Sequence, residues 1–263
     1  MSPPDVPTFD RLHRTSWLVV ALWVASLAAC GGPGARRVTD ELDRPPVSET
    51  ARLDAERAKW QQPVDIVDGL RLKPGMRLAV MSAGDAYLLP HLATAVGDDG
   101  RVFALEWEAP LVDRTRAGLV LRGFGERGHK PPAGAAPVEV RRVALSSWPV
   151  PEPVDRAVLI NSYPTLEAPV EALALLRRWV KPGGLIAVID YPPDEAVPGP
   201  PIDTRLDVET VIAEARGAGL AVSLRYNVLP RQYFLVFVNA EETDPSPDPV
   251  LGAQGDNFAE DTP

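Results

Sequence analysis

The stretch Leu72-Lys73-Pro74-Gly75-Met76-Arg77-Leu78-Ala79-Val80-Met81-Ser82-Ala83-Gly84-Asp85-Ala86 decides how the chain is to be read. Lys73-Pro74-Gly75 is a turn, since proline presets φ and glycine takes up conformations that other residues avoid. Arg77 to Met81 is then a short apolar strand. Ser82-Ala83-Gly84-Asp85-Ala86 is a small-residue turn, and the spacing predicts a helix over Tyr87 to Val96. Strand, tight turn, helix is the opening of an α/β unit.

The pattern repeats downstream. Gly97-Asp98-Asp99-Gly100 turns into a second strand, Arg101 to Trp107, followed by a helix over roughly Ala109 to Leu121. A Gly/Pro-rich loop at 123–137 leads to a third strand, Val138 to Val143, and Asp155 to Ile160 is a fourth. Leu166, Val170, Leu173, Leu176 and Val180 form one stripe of a helix. Lys181-Pro182-Gly183-Gly184 stops that helix, and Leu185 to Asp190 is a fifth strand, apolar throughout as in a sheet covered on both faces. Asp207 to Ala218 is amphipathic, and Leu220 to Val228 with Gln232 to Val238 form a terminal hairpin. Upstream, Glu49 to Gln61 is helical with Ser48 as cap, and Val64 to Leu70 is a second short helix closed by Gly69. Alternating strands and helices predict a doubly wound, mostly parallel sheet.

The remainder of the chain is of a different composition. Of its 263 residues, 29 are proline, crowded largely outside the periodic segments. The net charge of −9 also has an address. From Glu241 to Pro263 there are seven acids and no Lys or Arg, which leaves about −2 for everything else. Residues 241–263 are read as an acidic disordered tail. The nearly neutral folded part, residues 49–240, carries no mark of a nucleic-acid binder. Cys30 is the one cysteine, and His13, His91 and His129 show no ligand spacing, so no metal is assigned.

At the other end, Arg11 and Arg14 precede an apolar run from Trp17 to Ala29. A run of about 13 residues matches the apolar part of a signal peptide and is short of a bilayer span. It ends in Leu27-Ala28-Ala29-Cys30-Gly31-Gly32, which resembles the bacterial lipobox. That resemblance implies a signal peptide over 1–29, a lipidated Cys30 as the mature N-terminus, and a flexible tether over 30–48. Gly31 after the cysteine implies the periplasmic face of the outer membrane within the cell envelope. A plain cleaved signal and a short membrane anchor are the alternatives.

Five segments together resemble the class I S-adenosylmethionine (SAM) methyltransferases. They are Leu72 to Arg77, Gly100 to Glu106, Leu159-Ile160-Asn161-Ser162-Tyr163, Val180 to Gly184, and Leu229-Pro230-Arg231-Gln232-Tyr233-Phe234. The resemblance spans about Glu49 to Val238. It implies a Rossmann-like sheet of seven strands that ends in an antiparallel β-hairpin, which a dinucleotide dehydrogenase does not usually have.

In that family the first strand ends in an acid followed by Gly-x-Gly-x-Gly, whose amides hold the carboxylate of SAM. This chain has Val80 for the acid, Ser82 and Ala86 for the outer glycines, and Gly84 for the middle one, with Asp85 adding a negative charge. The resemblance implies that Ser82, Gly84 and Asp85 line the cofactor, that Glu106 grips the ribose hydroxyls, and that Trp107 lies against the adenine. Asn161 and Tyr163 follow the fourth strand. Residue by residue, 82–86 can equally be a tight turn, Glu106 a solvated acid and Trp107 a core aromatic. Ala144-Leu145-Ser146-Ser147 offers only hydroxyls after the third strand, and no catalytic base is evident. Asp190 and Tyr191 qualify by their place alone. SAM is a cytosolic metabolite, whereas the lipobox directs this domain out of the cytosol. Two functions follow: a SAM-dependent methyltransferase acting on a small-molecule or envelope substrate, or a catalytically silent lipoprotein of the same fold that binds or scaffolds.

Overall fold

The computed structural model describes residues 47–125, 130–144, 147, 149–240 and 250–251. The signal peptide, Cys30 and most of the tether and acidic tail lie outside them. Helix α1 (Val47–Gln61) has Glu49 in its first turn and Lys59 in its last, as the helix dipole favours. It starts before Ser48, which therefore sits in its first turn rather than at its cap. Gln62 breaks it with φ 44°, and Pro63 opens α2 (Pro63–Gly69).

Five parallel strands follow, with helices between them: β1 (Arg77–Met81), α3 (Leu89–Val96), β2 (Arg101–Glu106), α4 (Ala109–Leu121), β3 (Val138–Arg142), β4 (Val154–Ile160), α5 (Pro169–Trp179) and β5 (Val180–Asp190). Helix α6 (Val208–Gly217) then leads to β6 (Leu220–Tyr226) and β7 (Tyr233–Asn239). The sheet runs β3-β2-β1-β4-β5-β7-β6, and a two-residue strand, β8 (Val250–Leu251), lies beside β6 at its edge. Strand β7 is antiparallel to both β5 and β6, so the seven-stranded sheet closes in the expected hairpin.

Alternation along each strand divides the core between the two faces. Leu78 and Val80 of β1 pack on one side with α2, α3 and α4. Ala79 and Met81 pack on the other with Leu173 and Leu176 of α5 and Ile212 of α6. Of the stripe read from the sequence, Val170, Leu173 and Leu176 lie on α5, whereas Leu166 precedes the helix and Val180 already belongs to β5.

Most boundaries shift by a residue or two from the sequence reading, and two shifts bear on the site. The third helix starts at Leu89, not Tyr87, with Pro90 in its first turn, where a residue without an amide proton is tolerated. Lys181 to Gly184 belongs to β5 rather than standing outside it. Pairing of β4 with β5 jumps from Val154–Val180 to Arg156–Leu185, so these residues form a bulge. Lys181 is fixed there by Asp155, 2.8 Å away.

The sheet reverses its order between β1 and β4, and in doubly wound folds ligands bind outside the carboxyl ends of the strands at such a point. No helix among the described residues is long and apolar enough to cross a membrane.

Candidate functional site

A cavity of about 220 Å³ lies at that point. Val80, Leu88, Leu89, Leu111 and Ile160 form its apolar wall. Ser82, Ala83, Gly84, Asp85, Asn161, Arg57 and Arg114 supply the rest. Four of the residues singled out in the sequence, Ser82, Gly84, Asp85 and Asn161, therefore meet around one space. Glu106 and Trp107 do not line it.

The loop from Ser82 to Ala86 has the backbone of a glycine loop with only its middle glycine. Ser82, Gly84 and Ala86 have φ of 55°, 62° and 64°. Only Gly84 takes that region without strain; at Ser82 and Ala86 it costs about 1 kcal/mol or more each. Such a conformation persists only where its surroundings over-determine it, and here they do. The Ser82 amide donates to Leu105 O (2.9 Å), and the Ala86 amide to Ala83 O (3.0 Å). Asp85 accepts from Arg57 of α1 on both oxygens, at 2.8 and 2.9 Å. Arg122, at the end of α4, donates to the Asp85 carbonyl (2.8 Å) and makes a fork with Asp54 of α1 at 2.7 Å on each arm. Tyr87 lies beneath both guanidiniums, with Arg57 at 4.5 Å and Arg122 at 6.0 Å from its ring centre.

Glu106 sits directly behind this loop and has no solvent exposure. Its Oε1 accepts from the Thr115 hydroxyl (2.7 Å) and the Gly84 amide (3.2 Å). Thr115 lies on α4, and its hydroxyl oxygen is also 2.8 Å from Gly84 O. Burial pushes the Glu106 pKa up, against the hydrogen bonds from Thr115, Gly84 and Ala83, which lower it. Oε2 is buried without a partner among the described residues. The amides of a loop rich in left-handed residues form an anion-binding concavity. In this structure the carboxyl group that meets them is the chain's own Glu106. Trp107, partly exposed, follows it, and its carbonyl is 3.5 Å from Arg142 Nε.

Asn161 also adopts a left-handed conformation (φ 54°), which asparagine tolerates better than most residues. The Gln232 amide donates to Asn161 Oδ1, joining the end of β4 to the tip of the hairpin. Asp190, 3% exposed, is pushed up to about 6 by burial and accepts from the amides of Tyr163 (3.2 Å) and Tyr191 (2.9 Å). It fastens the loops after β4 and β5 to each other. Tyr163 donates to Glu214 of α6 (2.8 Å), and Tyr163 to Thr165 make one 3₁₀ turn. Leu145 and Ser146 lie outside the described residues.

Sequence reasoning missed Arg57, Arg114, Thr115 and Arg122. The pairings of Arg57 with Asp85 and of Arg122 with Asp54 span 28 and 68 residues, so no local pattern carries them.

Whether SAM fits can be asked of these residues directly. A grip on two ribose hydroxyls needs both carboxylate oxygens of Glu106 facing open space. One is engaged and the whole group is enclosed. Pockets for ligands of this size usually measure about 300–1,000 Å³, and the cavity is smaller. In this conformation the residues do not fit the intact cofactor.

Known structures share the fold. A SAM-dependent methyltransferase from Aquifex aeolicus superposes with a TM-score of 0.61 at 23% identity, over 74% of this chain and the whole of that one. An O-methyltransferase family 2 protein from Planctomyces limnophilus, in complex with apigenin, gives a TM-score of 0.54 at 12% identity over 75% of this chain. The chain spans 62% of the length of that protein. The domain thus has the Rossmann-like methyltransferase fold. No protein-family model and no curated protein matches the sequence.

Proposed function

We propose that the chain is an exported protein, lipid-anchored at Cys30, whose methyltransferase-type domain acts as a binding module and does not grip SAM as built. The observation that carries this reading is the capture of Glu106. The one acid placed to hold a ribose is fully buried and occupied by Thr115 and Gly84, behind a loop that Arg57 and Arg122 fasten. Export rests on Arg11, Arg14, the run from Trp17 to Ala29 and the lipobox-like Leu27-Ala28-Ala29-Cys30. On this reading the domain lies on the periplasmic side of the envelope, away from the cytosolic supply of SAM.

A second reading, a SAM-dependent methyltransferase with a small-molecule or envelope substrate, is favoured by a specific pair of observations. The loop keeps glycine-like dihedrals at Ser82 and Ala86, and Glu106 Oε2 lacks a partner. On this reading the loop opens, and Ser82, Gly84, Glu106, Trp107 and Asn161 contact the cofactor.

The two readings separate in a pair of variants. Asp85→Asn weakens the hold of Arg57, and Thr115→Val frees Glu106 Oε1. If the fastened loop excludes SAM, the double variant should bind it at least 10-fold more tightly than the wild type by calorimetry. A wild type that already binds at micromolar strength, with no gain in the double variant, would establish the second reading.

A further inference from the structure

The carboxyl end of the sheet carries a second feature of which the readings above use only Arg57. Arginines and aromatic rings alternate across it. Arg57, which lines the cavity, also lies 5.8 Å from the centre of the Trp60 ring. Arg231, at the tip of the hairpin, lies 5.0 Å from the same ring. Tyr191, just past β5, is 6.2 Å from Trp60 with the rings tilted by 42°, and Arg205 is 5.8 Å from Tyr191. The cavity and this row of side chains are continuous at Arg57.

These arginines differ in what occupies them. Arg57 is paired with Asp85. Arg205 is spent on its own loop, donating to the carbonyls of Pro192, Asp194, Val197 and Pro200. Asp194 in that loop turns its carboxylate to the amide of Ala196 (2.9 Å) and not to an arginine. Arg231, and Arg114 at the cavity wall, have no carboxylate partner among the described residues. A guanidinium stacked on an aromatic face keeps its in-plane N–H groups available, and their fork geometry matches phosphate or carboxylate. The folded part is nearly neutral, and these two arginines are positive charges that no carboxylate of the described residues pairs. The indole of Trp60 is half-buried and offers an apolar surface beside them.

We propose that this mouth binds a small organic oxyanion: a phosphate or carboxylate held by Arg231, with a ring or apolar body against Trp60. Arg114 takes the anion when the ligand reaches into the cavity. The proposal goes beyond the reading above and does not need SAM to bind, since neither Arg231 nor Trp60 is asked to hold it.

The test titrates the full-length protein with phenyl phosphate and, separately, benzoate at fixed ionic strength, following tryptophan emission and heat. Inorganic phosphate supplies the anion without the ring, and phenol the ring without the anion. Phenyl phosphate or benzoate should saturate, and the tighter of the two identifies the anion. Arg231→Ala should weaken it roughly 10-fold, the loss expected for a charge-assisted contact. Trp60→Phe should abolish most of the emission change, and Arg101→Ala, at the opposite end of β2, should leave binding unchanged. Saturation by inorganic phosphate as tight as by phenyl phosphate overturns the proposal. So does unchanged affinity in Arg231→Ala, or no saturation by either ligand.

Discussion

Gly118, on the buried face of α4, is the residue on which the fastened loop rests most directly. A methyl group added there would lie 2.7 Å from the Asp85 carbonyl carbon and 3.1 Å from Ala86 Cβ, with the Asp85 carbonyl oxygen closer still. These neighbours are mostly backbone, held by Arg57 and Arg122, so they cannot swing aside as a side chain tip would. Overpacking of this kind costs about 1–3 kcal/mol, and the severity of the overlap puts it in the upper part of that range. Alanine in a helix interior returns about 1 kcal/mol over glycine. Gly118→Ala should therefore destabilise the protein by about 1–2 kcal/mol, or roughly 2–8 °C in Tm for a domain of this size. Thermal unfolding followed by circular dichroism reads it. Helix propensity alone predicts the opposite sign, so an unchanged or raised Tm would refute the packing of α4 against the loop.

Other perturbations reach the remaining parts of the structure. Arg122→Ala removes a guanidinium that is 12% exposed and leaves Asp54 and the Asp85 carbonyl without it, so it should cost about 1–3 kcal/mol by urea unfolding; a loss under half a kcal/mol would show that the fork is ornamental. Asp190 has its pKa raised to about 6 by burial, so the folded state holds this proton more tightly than the unfolded one. Its carboxylate therefore adds stability as pH falls through about 6. Relative to Asp190→Ala, the wild type should gain about 1 kcal/mol between pH 7 and pH 5; a loss over that range would contradict the assignment. Truncation after Ala240 removes the acidic tail and the two-residue β8, and should leave Tm nearly unchanged, whereas a fall of several degrees would show that the tail packs on the domain. Cys30→Ala should abolish fatty-acid labelling and release the protein from the membrane fraction, and labelling that persists would refute the anchor.

The fold was legible because its signals are local. Arg77 to Met81 is legible to the residue, since a short apolar run after a Pro-Gly turn reads as a buried strand, and the helix over roughly Ala109 to Leu121 lies where it is expected. Lys181 to Gly184 was misplaced because a strand that bulges at a Pro-Gly-Gly looks like a stop until its partner strand is known. At the site, the sequence identified the loop and brought Ser82, Gly84, Asp85 and Asn161 to one cavity. It placed Ser82 and Ala86 where the outer glycines of the family's loop stand. The structure places the constraint in left-handed conformations both residues retain and in contacts that hold them there. The charge of Asp85 is neutralised by Arg57, and Glu106 faces the loop's own amides rather than an open cleft. Both facts depend on side chains that approach only after α1 and α4 have packed, which no spacing rule encodes.

The central claim is that Glu106 is held by the chain itself and is not free to hold SAM. Calorimetric titration of the wild-type, full-length protein with SAM tests it most directly. The account predicts no saturable heat at micromolar concentrations. Micromolar binding that Glu106→Ala weakens by about 10- to 100-fold, the loss expected for a charge-assisted grip on the ribose, would contradict it.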